Sequence, residues 1–210
     1  MHKENGCLTK KRLIGKMILN NLKKYRVVLA SNSPRRKELL SGLGVDYEVK
    51  TMPDVDESYP EGLGGEEIAM YIARGKAEAY REVMVKDELV ITADTIVWLD
   101  GVVMGKPKDE EEAKYMLRQL SGKTHQVITG VCLTTKQMQK CFATVTDVTF
   151  ATLTEDEIGY YVANYRPMDK AGSYGVQEWI GFVGVENLSG SYFNVMGLPI
   201  QRLYVELKKL

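Results

Sequence analysis

The sequence predicts a mixed α/β fold, on three observations. Strand-length apolar runs alternate with amphipathic helical segments as far as Leu120. β-branched runs paired around a polar turn come later, and 210 residues with 44% hydrophobic content suffice for one full core or two small ones. Tyr25 to Ala30 reads YRVVLA, a continuous apolar run of the kind found in a buried parallel strand. Ser33 then stands as an N-cap and Pro34 as the first helical residue, with Leu39, Leu40 and Leu43 at helical spacing beyond them. The acidic run Asp54-Val55-Asp56-Glu57 and the loop Gly62-Leu63-Gly64-Gly65 precede a helix from Glu66 to Met84. In that helix Ile68, Tyr71, Ile72, Ala79 and Val83 fall near one face. Leu89 to Ala93 is a short buried strand, and Asp100-Gly101 joins Ile96 to Leu99 with Val102 to Met104 as a hairpin. Asp109 to Leu120 has an acidic first turn and places Ala113, Met116, Leu117 and Leu120 on one side of a helix. Thr124 to Leu133 and Cys141 to Phe150 form a second hairpin. Thr154 and Glu157 make a capping box for a helix ending near Asn164. A glycine-rich aromatic stretch through Tyr192 leads to a closing helix within Gly197 to Lys209, around Leu203 and Leu207. There is no internal repeat, low-complexity tract or long linker.

Charge and composition exclude several function classes. The 28 basic residues balance 28 acidic ones, whereas proteins that live on nucleic-acid backbones carry a basic excess. A bound polyanion is therefore expected to be small and held locally, and no nucleic-acid partner is expected. No apolar run approaches the roughly 18 residues of a membrane span. The basic residues before Tyr25 lack the apolar core and cleavage site of a secretory signal. The expectation is a cytoplasmic protein with no membrane partner. Met17 is an alternative start that would leave the first 16 residues outside the fold. Cys7, Cys132 and Cys141 are odd in number and lack ligand spacing, and His2 and His125 are far apart, so neither a disulfide framework nor a zinc site is indicated. Cys132 and Cys141 can face each other across the second hairpin, but buried free thiols are the expectation in a reducing compartment.

Ser31-Asn32-Ser33-Pro34-Arg35-Arg36 concentrates the chemistry of a phosphate site in one strand-to-helix turn. Unpaired first-turn N–H groups and the helix dipole favour an anion there, and two guanidiniums add forked donors. The plain alternative is a capped helix with two solvated arginines. Asp94 follows the strand Leu89 to Ala93, and strand ends in open α/β sheets are where ligands bind. Its carboxylate suits a magnesium ligand or a base that activates water, and a turn-former is the alternative. Asp54, Asp56 and Glu57 offer further carboxylates, or only a solvated loop. Gly105 and Pro107 hold Lys106 on a stiff tip, where an ammonium meets phosphate as a point charge. Lys76 lies beside Gly75, a small residue expected to allow close approach of another group. In Asp169 to Gln177, DKAGSYGVQ, a glutamine after a short strand presents an amide edge that suits a pyrimidine, unless it merely satisfies backbone groups. Asn187 to Asn194, NLSGSYFN, is a second polar glycine loop with the same two readings.

These segments, in this order, resemble the Maf family of nucleoside triphosphate pyrophosphatases. The resemblance runs through LASNSPRR ending at Arg36, DVDE at 54–57, IARGKA ending at Ala77, TADTIV at 92–97 and GKP at 105–107. It continues through LSGKTHQVITG at 120–130, DKAGSYGVQ, and GSYFNVMGLP to Pro199. It implies an elongated mixed-sheet α/β fold related to the inosine-triphosphate pyrophosphatases, with two lobes around a cleft. Residues 25–210 are then a single catalytic domain behind a leading segment, 1–24. The implied reaction converts a nucleotide to its monophosphate and pyrophosphate, with Asp94 as the catalytic proton acceptor. Arg35, Thr95 and Gln177 match the positions that mark enzymes acting on dTTP and UTP, as opposed to 7-methyl-GTP. Ser31, Ser33, Arg35, Arg36, Lys76 and Lys106 are the candidate phosphate contacts, and Asp94 with Glu57 the candidate ligands for Mg²⁺ or Mn²⁺. Glu178-Trp179 follows Gln177 where the family often has a glycine. A sister enzyme for modified purine nucleotides and a division-linked nucleotide-binding protein are the alternatives, and a homodimer is compatible with either.

Overall fold

The computed structural model describes residues 19–51 and 55–210. His2, Cys7, Met17, Asp54 and most of the leading segment lie outside the described residues. The described chain begins with a single 3₁₀ turn, Asn20–Lys24, followed by β1 (Arg26–Leu29), α1 (Pro34–Gly42), β2 (Glu48–Val49) and α2 (Gly65–Arg81). Next come β3 (Glu88–Leu99), β4 (Val102–Met104), α3 (Glu110–Leu120), β5 (Thr124–Thr134) and β6 (Gln139–Phe150). The chain closes with α4 (Glu155–Tyr165), α5 (Trp179–Gly184), β7 (Val185–Ser189), α6 (Tyr192–Val195) and α7 (Ile200–Leu207). All seven strands share one sheet in the order β2-β1-β3-β5-β6-β7, with β4 also paired to β3. β1 runs parallel to β2 and β3, and the pairs from β3 through β5 and β6 to β7 are antiparallel, so the sheet is mixed as predicted.

The largest departure from expectation concerns β3. Leu89 to Ala93 and Ile96 to Leu99 are one unbroken strand, not two, so Asp94 stands in mid-strand rather than at a strand end. The reason is an exchange of partners. On one edge β5 pairs continuously from Val90 to Trp98. On the other, β1 pairs only as far as Ile91 and β4 only from Val97, which leaves the middle of β3 without a neighbouring strand on that side. That opening positions the cleft. The hairpin at Asp100-Gly101 is as read, with both residues at positive φ (51° and 84°), the geometry that a two-residue turn of this kind requires.

The sheet is covered on both faces. On one, α2 packs through Ile68, Ala69 and Ile72 onto Ile96 and Ile128, and through Ala73 and Ala77 onto Cys132. Tyr71 and Val83, expected on the buried face of this helix, are exposed. On the opposite face the larger cluster joins Leu39, Leu40, Leu117, Leu120, Ile158, Tyr161 and Leu203. Leu19 and Leu22, read as part of the leading segment, are buried in this cluster, and Asn21 donates to the Leu207 carbonyl (2.7 Å). The capping box at Thr154 and Glu157 forms as predicted, while α5, β7 and α6 arise from the glycine-rich stretch where no elements were expected.

The expectation of free thiols is overturned. The β5–β6 register sets Cys132 directly opposite Cys141, with Cα atoms 4.1 Å apart, and the two are disulfide-bonded. Closing this hairpin restricts the unfolded chain. Reduction with a dithiol is expected to cost about 2–3 kcal/mol and to lower the melting temperature by roughly 5–10 °C. Thermal scans with and without reductant check this, and coincident curves would show that the bond adds no stability.

Candidate active site

A cavity of about 780 Å³ opens where β3 lacks its second neighbour, lined by the 31–36 turn, Glu57, Lys76, residues 93–97, Lys106 and the 169–177 segment. Its volume is in the range of small-molecule sites. Most sequence-predicted site residues therefore come together around one opening: Ser31, Ser33, Arg35, Arg36, Glu57, Lys76, Asp94, Thr95, Lys106 and Gln177 all line it.

Successive β3 side chains point to opposite faces, so Asp94 and Thr95 have different surroundings. Asp94 faces α2, where Lys76 Nζ lies 2.6 Å from its Oδ1; its side chain is only 12% exposed. The same ammonium is 2.8 Å from Glu57 Oε1, so two carboxylates converge on one cation. Burial works against the charged form of Glu57, but the contact with Lys76 and the nearby Lys106 and Arg36 outweigh it and hold its carboxyl below the usual range. Lys106 is exposed at the cleft edge and, among the described residues, has no hydrogen-bond or ion-pair partner. Close helix approach comes from a different glycine than expected. Nothing lies within 4 Å of where a Gly75 Cβ would be, whereas a Cβ on Gly130, which faces Asp94 across the β3–β5 pair, would fall 2.6 Å from Met70 N in the α2 backbone and closer still to the Ala69 carbonyl. Bare backbone at Gly130 is what seats α2 low enough for Lys76 to reach Asp94.

The other face holds Arg36. Ser33 caps α1 by accepting from Arg36 N, and Pro34 starts the helix, as read from the sequence. The Arg36 guanidinium donates to Gly197 O (2.8 Å), Ala93 O (2.9 Å), Thr95 Oγ1 (3.1 Å) and Ser31 Oγ (3.4 Å). It thus satisfies a strand carbonyl on the unpaired edge of β3, in place of a neighbouring strand. Burial pulls its pKa below the ordinary arginine value, although Asp94 opposes that shift. Thr95 is equally committed. Thr129 donates to Asn194 O (3.1 Å), which leaves Thr95 to donate to Thr129 Oγ1 (3.0 Å) while accepting from Arg36. Arg35 instead extends across the cleft to Asp169, with Nη1 to Oδ2 at 2.8 Å.

Gln177 lies in a turn, not after a strand as expected, and its Oε1 is buried with no partner. Gly175 leaves it room, since a Cβ there would be 3.1 Å from Gln177 Nε2 and 2.9 Å from Glu178 Cδ. Beneath this turn Tyr174 Oη and His125 Nε2 are 2.7 Å apart, and burial pushes the imidazole down to about 4, so it stays neutral. The NLSGSYFN loop resolves to its packing alternative at Asn194, which is fully buried and donates to Val127 O and Thr146 Oγ1 at 3.0 Å each. Sequence reasoning missed Asp169, Lys170 and Gly197 as cleft residues. The first two were signalled by a charge pair beside the DKAG glycine, and Gly197, which acts through its carbonyl, had no side-chain signal.

The family model described as Maf-like protein matches residues 26–210, from the first strand to the last residue. The chain belongs to the Maf-like family. A relative from Phocaeicola vulgatus, named dTTP/UTP pyrophosphatase, is 69% identical over 193 residues, covering 92% of this chain and 100% of its own. A relative of the same name from Bacteroides fragilis is 71% identical with the same coverage. Among solved structures, a HAM1 protein from Coxiella burnetii aligns with 89% of this chain and 100% of its own at 18% identity and a TM-score of 0.46. Among the described residues no helix is long and apolar enough to cross a membrane.

Proposed function

We propose that this Maf-like protein hydrolyses dTTP and UTP to the nucleoside monophosphate and pyrophosphate, in the cytoplasm where such nucleotides are made and used. One observation carries the reading: the Glu57–Lys76–Asp94 cluster and the unpartnered carbonyl of Gln177 line a single cleft. A buried acceptor without a donor is costly, and the imide N–H of thymine or uracil supplies one, whereas the cytosine ring nitrogen at that position has no hydrogen to give. The names of relatives at 69% and 71% identity support the same substrates.

In this reading Asp94 accepts a proton from the water that attacks the α-phosphorus. The bond from that phosphorus to the bridging oxygen breaks, and pyrophosphate leaves. Lys76 and Lys106 oppose the charge on the phosphate oxygens, the electrostatic help on which phosphoryl transfer depends, while Arg35, turned across the cleft to Asp169, acts in nucleotide selection. Arg36, with its donors already on protein oxygens, orients Thr95 and braces the open edge of β3. Ser31 and Ser33 shape the turn through their own bonds to Arg36 and to Ser33 N. The carboxylates of Asp94 and Glu57 fit a hard divalent cation such as Mg²⁺ or Mn²⁺. Two carboxylates alone would leave the other coordination positions of such a cation to water and substrate phosphates. Such a cation, when bound, would neutralise charge on the phosphates.

Purified protein assayed with dTTP, UTP, CTP, GTP and modified purine nucleotides, with monophosphate and pyrophosphate both quantified, tests the proposal. Release of orthophosphate instead, or no turnover, would overturn it. Gln177→Ala is expected to lower kcat/KM for dTTP and UTP by roughly 10- to 100-fold, the worth of a hydrogen bond to a buried group, and to spare GTP. Equal losses on all nucleotides would remove Gln177 as the base reader.

A further inference from the structure

Two of the three residues singled out for specificity, Arg35 and Gln177, stand on separate parts of the chain, yet a continuous chain of charges joins them. Arg35 Nη1 donates to Asp169 Oδ2 (2.8 Å), and Lys170 Nζ donates to Asp169 Oδ1 (2.8 Å) and to Glu178 Oε1 (3.0 Å). The remaining Glu178 oxygen accepts from the Tyr161 hydroxyl, which itself accepts from Gly175 N (3.0 Å). Gln177 sits between Gly175 and Glu178, and so between two anchored neighbours. The signs alternate from Arg35 to Glu178, so the chain is neutral and each charge faces an opposite one.

Burial is graded along it. Asp169 is 58% exposed, and an isolated pair with Arg35 at that exposure would be worth little. Lys170 is only 9% exposed and Tyr161 is fully buried, so the inner half of the chain is the stiff half. Partial burial works against the charged form of Asp169, but Lys170 and Arg35 outweigh it and hold its carboxyl down to about 2. The backbone between the two acids is also held. Gly172 and Ser173 have positive φ (65° and 61°), and Gly172 N donates to Gly105 O (3.0 Å), beside Lys106.

We propose that Lys170 is a positioning residue which, through Asp169 and Glu178, fixes Arg35 and Gln177 relative to each other and so sets nucleobase selectivity. The proposal rests on the dTTP and UTP reading above. The Glu178 carboxylate is the link that ties Gln177's turn to Tyr161 and Lys170.

Lys170→Met keeps the aliphatic stem and removes the ammonium. It is expected to raise KM for dTTP and UTP by roughly tenfold, change kcat less, and leave GTP turnover nearly unaltered. Lys170→Arg is expected to recover most of the selectivity. In combination with Arg35→Ala, Lys170→Met is expected to add little further loss, because both act through one chain. Glu178→Gln, close to isosteric, provides the same test should Lys170→Met fail to fold. The wild-type panel is run first: absence of a dTTP and UTP preference there overturns the substrate reading and this proposal with it. A wild-type preference that survives Lys170→Met or Glu178→Gln in folded protein, or effects that add fully to Arg35→Ala, would overturn the positioning role alone. Uniform losses on every nucleotide, with lowered thermal stability, would assign Lys170 a structural role and likewise end the proposal.

Discussion

Asp94→Asn is expected to reduce pyrophosphate release from dTTP by about 10³-fold while leaving the fold intact. The amide matches the carboxylate in shape, but it neither takes a proton from water nor balances Lys76, whose ammonium lies 2.6 Å away. Glu57 remains on the same ammonium at 2.8 Å, so no buried cation is stranded and the cost to stability is small. Pyrophosphate release and a urea denaturation midpoint, measured on the same preparation, check both halves. Turnover at the wild-type rate would remove Asp94 from the chemistry, and a collapse of the midpoint would make any activity loss uninformative.

Gly130→Ala is expected to have the largest combined effect on stability and activity. The added methyl would meet the α2 backbone at Met70 N, 2.6 Å away, and backbone has no rotamer with which to step aside. Restoring ordinary contact requires α2 to rise by about 1 Å. Overpacking of this kind costs about 1–3 kcal/mol or more. Lys76 lies on the same helix, so the shift would also open its contact with Asp94, and displacements of about 1 Å at such centres cost on the order of 10²-fold in rate. Gly75→Ala is the control, because nothing lies within 4 Å of its Cβ position and exposed helix interiors gain from alanine. Equal behaviour of the two variants in denaturation and in turnover would refute the account of how α2 is seated.

Local chemistry was the readable part. The Ser33 cap with Pro34, the Asp100-Gly101 turn and the Thr154–Glu157 capping box each depend on residues within four positions of one another, and each formed where read. The order of strands and helices was legible for the same reason as far as the helix at Thr154, apart from β2 and the unbroken β3, whereas α5, β7 and α6 were not. Helical spacing alone assigned Tyr71 and Val83 to a buried face, but α2 lies on the sheet through Ile68, Ala69, Ile72 and Ala73, and it ends at Arg81, before Val83. Cys132 and Cys141 were legible as able to face each other across the hairpin, and only the assumption of a reducing compartment argued for free thiols; the β5–β6 register sets them directly opposite.

From residue types, caps and turn dipeptides alone came the α/β class and the inventory of cations, carboxylates and an amide reader. Long-range pairing decided how that inventory is used. Only the arrival of β1 and β4 at different stretches of β3 opens the sheet beside Asp94, and only that opening turns Arg36 inward to Ala93 and Gly197 while Arg35 spans to Asp169. These contacts join residues 57 to 161 positions apart. Periodicity and capping report on the nearest turn or strand, whereas a guanidinium is committed by whichever carbonyls the folded sheet leaves unpaired.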